Sequence, residues 1–337
     1  MAAHFGLDIG TTSIKILKYD GKRVSVALVS QNSFGKSLMA MSNAEKIALA
    51  GQLEVLIKSA GLKGKQVVAS ISESLVFSRV MQFPIMSSPE LATAIKWELD
   101  QSVPFPPNEV ETSWAVLEKP NKVKGDEKII VYVVAVPTAV SDTYVQMLEL
   151  LNLTPLRLEN EIPALMRGFN STLSDDNPSI LVNIGASGTE VILAGKEKLF
   201  SNYYLPFGGS VMTKLIADSF GLPIAQAESY KRTYGMVKDQ LEGKMFLVLK
   251  PVIDNLVGEI KKMTIAYQNS HPDTVINKLI LLGGGSYLLG LIPYLSESLE
   301  GVEIVMGDVF SGMTVDQKYK DLGPVFSTAF GLATEIS

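Results

Sequence analysis

The chain has 337 residues, of which 47% are hydrophobic and 19% are charged, a globular composition that excludes a largely disordered chain. Thirty basic and 35 acidic residues give a net charge of −5, which leaves no positive excess for binding nucleic acid. There is no cysteine, so disulfides, thiolate metal sites and a cysteine nucleophile are excluded. Only two histidines occur, His4 and His271, which makes a catalytic triad or a multi-histidine metal site hard to build.

The mean hydropathy of +0.22 raises the question of a membrane span. The strongest candidate, residues 279–295, carries no charge, but it is shorter than the roughly 20 apolar residues that a bilayer requires. Glycines at 283–285 and Pro293 interrupt it, so we expect a strand, a glycine turn and a helix. Residues 1–10 lack the basic start and apolar run of a signal peptide. These features predict a cytoplasmic protein that reaches a membrane only through a partner.

The opening of the chain predicts three antiparallel strands, at residues 5–9, 11–18 and 24–29, with turns at Gly10 and at Asp20-Gly21. The elements expected next are a helix at 42–60, a strand at 67–71, a helix from Ser88 to the prolines at 104–107, strands at 112–118 and 129–136 around a charged turn at 121–128, a helix at 141–151, a strand at 156–159 and a helix at 161–169.

The helix that starts near Ser88 has a clear N-terminal signal. Ser88 is the predicted cap, Pro89 takes the first helical position, and an acidic residue follows in the first turn. Its apolar face is predicted to consist of Leu91, Ile95 and Leu99. We expect Trp97, near this face, and Trp114, in a strand, to pack in the core.

Residues 171–178, rich in Ser, Asp, Asn and Pro, are the most linker-like segment and are predicted to hold the main domain boundary. The opening pattern then recurs, with strands at 179–184, 189–193 and 199–205. This duplication predicts two related lobes that face one another. The elements expected after it are a helical region from 210 to about 271, interrupted at 221–223 and 235, a strand at 279–282 and a helix at 287–299.

Three glycine-containing segments suggest phosphate chemistry. The first, residues 8–13, places Asp8 at a strand end before a turn with several hydroxyls, where backbone amides can point at a phosphate and the carboxylate can hold Mg²⁺ through water. The second, residues 183–189, occupies the corresponding place in the second lobe. The third, residues 279–286, is a buried strand followed by three glycines and a predicted helix start. Taken alone, the first segment is more simply explained as a polar hairpin turn. The alternative for the third segment is a tight strand-to-helix turn, although three consecutive glycines are more than such a turn needs.

Other nucleotide motifs are missing from the sequence. It contains no G-x-x-x-x-G-K-[ST] segment, which excludes a P-loop protein, and the first glycine turn is not G-x-G-x-x-G, which argues against a Rossmann fold.

The three segments, in this order, resemble the two phosphate motifs and the adenosine motif of the actin-like ATPases. Residues 161–164 and 324–333 are similar to the two interdomain connectors of that superfamily. More narrowly, residues 83–91 with 104–106, and residues 221–231 with 259–262, resemble the PilM family of type IV pilus assembly proteins.

The resemblance implies an α/β, actin-like (ribonuclease H-like) bilobed fold with an FtsA-type 1C subdomain inserted in the first lobe. The implied division is a first lobe (1A) at 1–78 and 157–176, an inserted 1C at 79–156, and a second lobe at 177–337 with 2A and a 2B at roughly 208–275.

The resemblance also implies ATP and Mg²⁺ in the cleft between the lobes. Asp8 would organise the metal ion through water, Glu161 would position the attacking water, and Asn183 is a third candidate for catalysis. The implied nucleotide-binding residues are Gly10, Thr11, Thr12, Ser13, Lys15, Gly185, Ser187 and Thr189 at the phosphates, Glu228 and Lys231 near ribose and adenine, and Gly283, Gly284, Gly285 and Ser286 around the adenosine.

One position departs from the superfamily pattern. The second phosphate motif usually begins with aspartate, and here it begins with Asn183, which keeps the shape but loses the charge that helps to hold Mg²⁺. We therefore expect ATP binding with slow or absent hydrolysis, and we expect Asn183→Asp to raise any hydrolysis rate.

The family further implies a partner, the cytoplasmic N-terminal tail of a PilN-like inner-membrane protein, for a pilus or a related type II secretion machine. Further candidate partners are a second copy of this chain and a pilus ATPase. One alternative is an FtsA-like filament protein, but the sequence ends at residue 337 without the amphipathic helix usual there. The other is a sugar-kinase-like enzyme, for which we find no clear general base.

Overall fold

The structure is a computed structural model that describes residues 4–21, 23–62, 66–120, 128–174 and 177–334. Residues 121–127 of the predicted charged turn, residues 175 and 176 of the predicted linker, and the two chain ends therefore lie outside the described residues. The strands are β1 (His4–Ile9), β2 (Ser13–Tyr19), β3 (Val24–Gln31), β4 (Gln66–Ile71), β5 (Phe77–Pro84), β6 (Val110–Glu118), β7 (Lys128–Pro137), β8 (Thr154–Asn160), β9 (Ser179–Ile184), β10 (Thr189–Gly195), β11 (Lys198–Leu205), β12 (Lys278–Leu282) and β13 (Glu303–Met306). The helices are α1 (Asn43–Ser59), α2 (Ser88–Ser102), α3 (Thr138–Leu150), α4 (Glu161–Phe169), α5 (Gly209–Phe220), α6 (Ile224–Tyr234), α7 (Lys244–Ser270), α8 (Leu291–Ser298) and α9 (Ser327–Ala333).

Two sheets have the same topology, which confirms the predicted duplication. The first sheet has the order β3-β2-β1-β4-β8 and the second β11-β10-β9-β12-β13. In each sheet an antiparallel three-strand meander is extended by two strands that run parallel to its first strand. A third, antiparallel sheet has the order β5-β7-β6. Strands β5 and β13 were not predicted from the sequence.

The two repeated sheets are held together by two helices between them. Helices α4 and α9, which contain the two predicted connectors, form an apolar core with residues of both sheets, including Leu17 and Ile192. The helices approach closely because Gly331 has no side chain, and a Cβ there would overlap the backbone carbonyl of Ala164. Helices α1 and α3 cover the outer face of the first sheet, and α5, α7 and α8 cover the outer face of the second. This layering places the ends of β1 and β9 on either side of a shared cleft.

The third sheet packs on α2 through a small core of its own. Leu91, Ile95 and Leu99 are buried against β5 and β7, as predicted. The cap is Ser87 rather than Ser88, since the Ser87 backbone N–H donates to the Glu90 carboxylate at 2.8 Å.

The range 79–156, predicted as one inserted subdomain, also contains α3, which packs on the first sheet instead. The division into subdomains stays a prediction.

The expectation that both tryptophans pack in the core is wrong. Trp97 is 63% exposed, because it lies two residues beyond Ile95, about 200° around the helix from the buried face. Trp114 is 41% exposed, because the edge strand β6 has exposed side chains on both of its faces.

The later helical region was only partly predicted. It divides into α5, α6 and α7, with breaks at the foreseen glycines, because Gly221 and Gly235 both have positive φ. Residues 279–295 form β12, a turn and α8, which confirms the predicted strand, glycine turn and helix. However, α8 begins at Leu291, and a short 3₁₀ turn at Gly284–Tyr287 precedes it. No helix among the described residues has the length and apolar character needed to cross a bilayer.

Candidate functional site

The first phosphate-like segment forms the β1–β2 hairpin. The Gly10 N–H donates to the Ser13 carbonyl at 3.1 Å, and a Cβ on Gly10 would lie only 2.8 Å from that carbonyl oxygen, so the turn requires glycine. Asp8 is 7% exposed and lies directly across from Lys15 in the strand pairing. The Lys15 ammonium donates to Asp8 Oδ2 at 2.9 Å, and the Ser70 hydroxyl donates to Oδ1 at 3.3 Å. The first lobe thus brings one carboxylate and one ammonium group to the cleft.

The second segment forms the β9–β10 hairpin with the same design. The Gly185 N–H donates to the Gly188 carbonyl at 2.9 Å, closing the turn. The start of α5 is tied to this turn, because the Gly209 N–H donates to the Gly185 carbonyl at 2.9 Å. A Cβ on Gly208 would overlap the same carbonyl, so glycine is required where the helix meets the turn.

The two turns meet across the cleft. The hydroxyl groups of Thr11 and Ser187, 176 residues apart in the sequence, lie 2.6 Å from each other. They border a cavity of about 440 Å³, a size within the roughly 300–1,000 Å³ of small-molecule sites. The predicted site residues that line this cavity are Asp8, Gly10, Thr11, Ser13, Lys15, Glu161, Asn183, Gly185, Ser187, Glu228, Lys231, Gly283, Gly284 and Gly285.

Three predicted site residues do not line the cavity. The Thr189 side chain is fully buried, and its hydroxyl donates to the Phe207 carbonyl at 2.8 Å. The Ser286 hydroxyl donates to the Gly283 carbonyl at 2.7 Å and so closes its own turn. Thr12 is exposed at the hairpin tip, where its carbonyl accepts a hydrogen bond from the Asn32 N–H.

The glycine run brings β12 against the second hairpin. Gly283 has φ of +75°, and a Cβ there would lie 2.6 Å from the Asn183 side-chain oxygen and 2.5 Å from the Ile184 carbonyl oxygen. A Cβ on Gly285 would overlap the Ile184 side chain, whereas Gly284 has no neighbour within 4 Å of its Cβ position. Two of the glycines therefore permit close packing, and Gly284 leaves open space at the cavity wall.

A charged cluster on α5 and α6 forms another wall. The Lys231 ammonium donates to the Gly209 carbonyl at 2.8 Å, the Thr213 hydroxyl at 2.8 Å and the Glu228 carboxylate at 2.7 Å. Arg232, which also lines the cavity, donates to Glu228 at 2.8 Å. Burial alone would raise the pKa of Glu228. The hydrogen bonds from Lys231, Thr213 and Arg232 outweigh burial and lower this pKa to about 2. Glu228 therefore stays ionised, and it holds the Lys231 ammonium at the cavity edge.

Glu161 begins α4 and lines the cavity between the lobes. Burial, together with the nearby charge of Asp8, raises its pKa to about 7. Its Oε2 accepts a hydrogen bond from the Glu73 backbone N–H at 3.0 Å. A carboxyl group with a pKa near neutrality can exchange a proton with water at physiological pH.

Glu73 and its neighbours form a buried polar network behind Glu161. The Glu73 carboxyl accepts from the Asn160 amide at 2.8 Å and from the Ser78 hydroxyl at a shorter distance. The Asn202 amide of β11 donates to the Ser78 hydroxyl at 2.9 Å, and the Asn160 amide donates to the Tyr132 hydroxyl on β7 at 2.5 Å. This network joins the site to all three sheets.

Several residues of the site were not predicted from the sequence. Glu190 lines the cavity and accepts a hydrogen bond from the Asn183 amide at 2.8 Å, and Glu73 and Arg232 contact predicted site residues. Glu190 had a signal, because it follows Asn183 by the same seven residues that separate Asp8 from Lys15. No signal in the sequence singled out Glu73.

The cavity fits a magnesium nucleotide by its donor chemistry. Mg²⁺ keeps several waters and needs only one or two carboxylates when phosphate oxygens complete its coordination. Asp8, Glu161 and Glu190 supply carboxyl groups, and the glycine turns supply a cradle without side chains. Within the described ranges, no group of three or more histidine, aspartate or glutamate side chains is arranged to hold a metal ion. Phosphate oxygens and water would therefore have to supply the other ligands of a magnesium ion.

Comparisons with known proteins agree with this architecture. The chain is similar to the structure described as "PilM-PilN type IV pilus biogenesis complex", with 28% identity and a TM-score of 0.83 over 98% of this chain and 97% of that chain. It also resembles the ethanolamine utilization protein EutJ from Carboxydothermus hydrogenoformans, with 18% identity and a TM-score of 0.58 over 98% and 88%. The subunit of the MamK double helical filament has 13% identity and a TM-score of 0.58 over 99% of each chain.

These likenesses confirm the predicted mixed α/β fold of the actin-like ATPases, while an FtsA-type origin of the third sheet stays a prediction. The sequence model of the family described as "Type IV pilus assembly protein PilM" matches residues 6–336, nearly the whole chain. The chain therefore belongs to the PilM family of type IV pilus assembly proteins.

Proposed function

We propose that this protein binds ATP with Mg²⁺ in the cleft between its two repeated lobes. The observation that carries the proposal is the meeting of the two glycine–hydroxyl turns, where the Thr11 and Ser187 hydroxyls lie 2.6 Å apart at the cavity. Backbone amides of such turns bind phosphate oxygens from two sides. The turns of both lobes would then contact the phosphate groups of one bound nucleotide.

Each group of site residues has a separate part in this proposal. Asp8 organises the metal through water, and Lys15, freed from Asp8 when the metal takes its place, contacts phosphate. Lys231 and Glu228 hold the sugar and base side of the cavity, beside the open wall at Gly284. Glu161 positions the attacking water.

We propose that the partner is the cytoplasmic tail of a PilN-like inner-membrane protein, which would hold this protein at the inner membrane. Membership in the PilM family supports this, as does the likeness to the PilM–PilN complex at 28% identity over nearly the whole chain. The protein would then act as an ATP-binding scaffold for pilus assembly on the cytoplasmic side.

The nucleotide would tune partner binding by shifting the cleft between open and closed states. The buried network supports such coupling, since Glu161 at the cavity accepts from the Glu73 N–H at 3.0 Å. The Glu73 carboxyl in turn accepts from Ser78 on β5 of the third sheet. A movement of Glu161 toward a phosphate would thus alter contacts that position the third sheet.

The test is fluorescence anisotropy with a labelled peptide of the PilN-like protein's N-terminal residues, measured with ATP, with ADP and without nucleotide. We expect ATP to change peptide affinity by about fivefold or more, a typical allosteric coupling. Asp8→Ala is the matched control, in which peptide binding persists but the nucleotide effect disappears. Absence of peptide binding would refute the partner, and equal affinity in all three states would refute the tuning.

A further inference from the structure

The internal repeat gives Glu190 a counterpart in the first lobe. In the first sheet Asp8 pairs with Lys15 across β1 and β2, and in the second sheet Asn183 pairs with Glu190 across β9 and β10. Paired residues project from the same face of a sheet, so Lys15 and Glu190 reach the cavity from equivalent positions. The first lobe therefore presents a cation where the second lobe presents an acid.

The surroundings of Glu190 are unusual for a structural residue. It is 4% exposed, and within the described part of the chain no basic side chain forms an ion pair with it. Burial raises its pKa, and the nearby carboxyls of Glu161 and Glu73 raise it further. Ionising a buried carboxyl group without a cationic partner costs on the order of several kcal/mol, and a bound cation would offset that cost.

A bound phosphate chain would place negative charge in front of the Glu190 carboxyl group. A carboxylate facing phosphate is repelled unless a cation lies between the two. Lys15 can contact phosphate directly from the first lobe, whereas Glu190 cannot do so from the second. The Asn183 amide donates to Glu190 Oε2 at 2.8 Å, which fixes the orientation of the carboxyl group.

We propose that Glu190, and not residue 183, is the second-lobe carboxylate that faces the magnesium ion of a bound nucleotide, with Asn183 as its positioning residue. The inference rests on the nucleotide site proposed above. The charge that is missing from the start of the second phosphate motif is thus supplied by the neighbouring strand, seven residues later.

This assignment changes the expectation for Asn183→Asp. Beside Glu190, a new carboxylate would share one proton with it, so the single substitution would not add a charge at the metal. The double variant Asn183→Asp/Glu190→Gln exchanges the two groups and keeps an amide-to-carboxylate hydrogen bond. Only this exchange moves the charge to residue 183.

The test is calorimetric titration with ATP, in excess Mg²⁺ and in EDTA, of the wild type, Glu190→Gln and the double variant. The measured quantity is the ratio of the two ATP affinities, which reports metal contacts without depending on hydrolysis. Glu190→Gln is expected to lower this ratio roughly 10- to 100-fold, which is the typical effect of removing a group that orients the ligands of a metal. ATP binding in EDTA should not be weakened. The double variant should recover most of the ratio. Glu297→Gln, which removes an exposed charge on α8, should leave it unchanged.

The outcomes separate this proposal from the site itself. If the wild type binds ATP more tightly with Mg²⁺ and Glu190→Gln keeps the same ratio, the role of Glu190 is refuted while the nucleotide site stands. Equal weakening with and without Mg²⁺ also refutes it, because it indicates a structural role. If the wild type binds ATP in neither condition, the nucleotide site is refuted and the role of Glu190 falls with it.

Discussion

The carboxyl group of Glu161 makes the stability of this protein depend on pH in a specific way. Its pKa rises from an ordinary value of 4.5 to about 7 in the folded protein, mainly by burial and then by the charge of Asp8. A group with a raised folded-state pKa contributes stability that is fully present below its unfolded pKa and is lost as pH rises through the folded value. The loss therefore falls between about pH 4.5 and pH 7.

Glu161→Gln removes this titration while keeping an oxygen that accepts the Glu73 N–H. The full shift corresponds to about 3 kcal/mol, at roughly 1.4 kcal/mol for each pKa unit. Because the side chain lines a cavity that water enters, we expect about 2–3 kcal/mol, allowing for solvent screening. At about pH 8 the variant should therefore be more stable than the wild type by this amount, and at about pH 4 the two should be nearly equal.

Urea unfolding followed by far-ultraviolet circular dichroism, at both pH values, measures the difference. The matched control is Glu297→Gln, an exposed glutamate on α8 that should show no such pH-dependent gain. A Glu161→Gln variant that is equally or less stable than the wild type at about pH 8 would contradict the reasoning, since the buried carboxylate would then carry no cost.

Asp8→Ala should weaken ATP binding in Mg²⁺ by roughly tenfold or more, as loss of a metal-organising group does, and an unchanged calorimetric affinity would remove Asp8 from the site. Gly331→Val should lower the free energy of unfolding by about 3 kcal/mol, because its side chain would overlap the Ala164 carbonyl, and a urea midpoint equal to the wild type would contradict this packing. Trp97→Ala should change stability by less than about 0.5 kcal/mol, whereas Ile95→Ala should cost about 2–5 kcal/mol; equal losses would place Trp97 in the core after all.

Much of the fold could be predicted because its signals are local. The hairpins around Gly10 and Gly185 each combine short apolar runs with a glycine turn, and such patterns fix strand pairing over a few residues. The same topology in both sheets follows from the repetition of this pattern. Strand β13 has only four residues, too few for a periodic signal.

The misplacement of Trp97 came from treating a large apolar residue as core. Its position relative to Ile95 already places it on the opposite side of the helix, so the geometry of α2 outweighs the hydrophobicity of the side chain. Strand β5 was missed although Met81 and Phe83 alternate with polar neighbours, because only its C-terminal half shows the alternation.

The site could be predicted where function depends on a turn, and not where it depends on contacts between distant segments. The hydroxyls of Thr11 and Ser187 were placed in the site by their motifs alone. Glu73 follows β4 and meets Glu161 only because α4 packs between the sheets, so no local pattern revealed it. Thr189 shows the opposite case, because its motif predicted a phosphate contact that the structure does not provide. The regular pairing of β9 and β10 directs its hydroxyl to the Phe207 carbonyl instead.

The most direct test of the account is a calorimetric titration of the purified protein with ATP in the presence of Mg²⁺. The account predicts saturable binding of one ATP for each chain, with an affinity that falls strongly in Asp8→Ala. Binding that Asp8→Ala leaves intact would place the nucleotide elsewhere. No binding to the wild type would contradict the central claim, because the two opposed turns would then serve only to hold the lobes together.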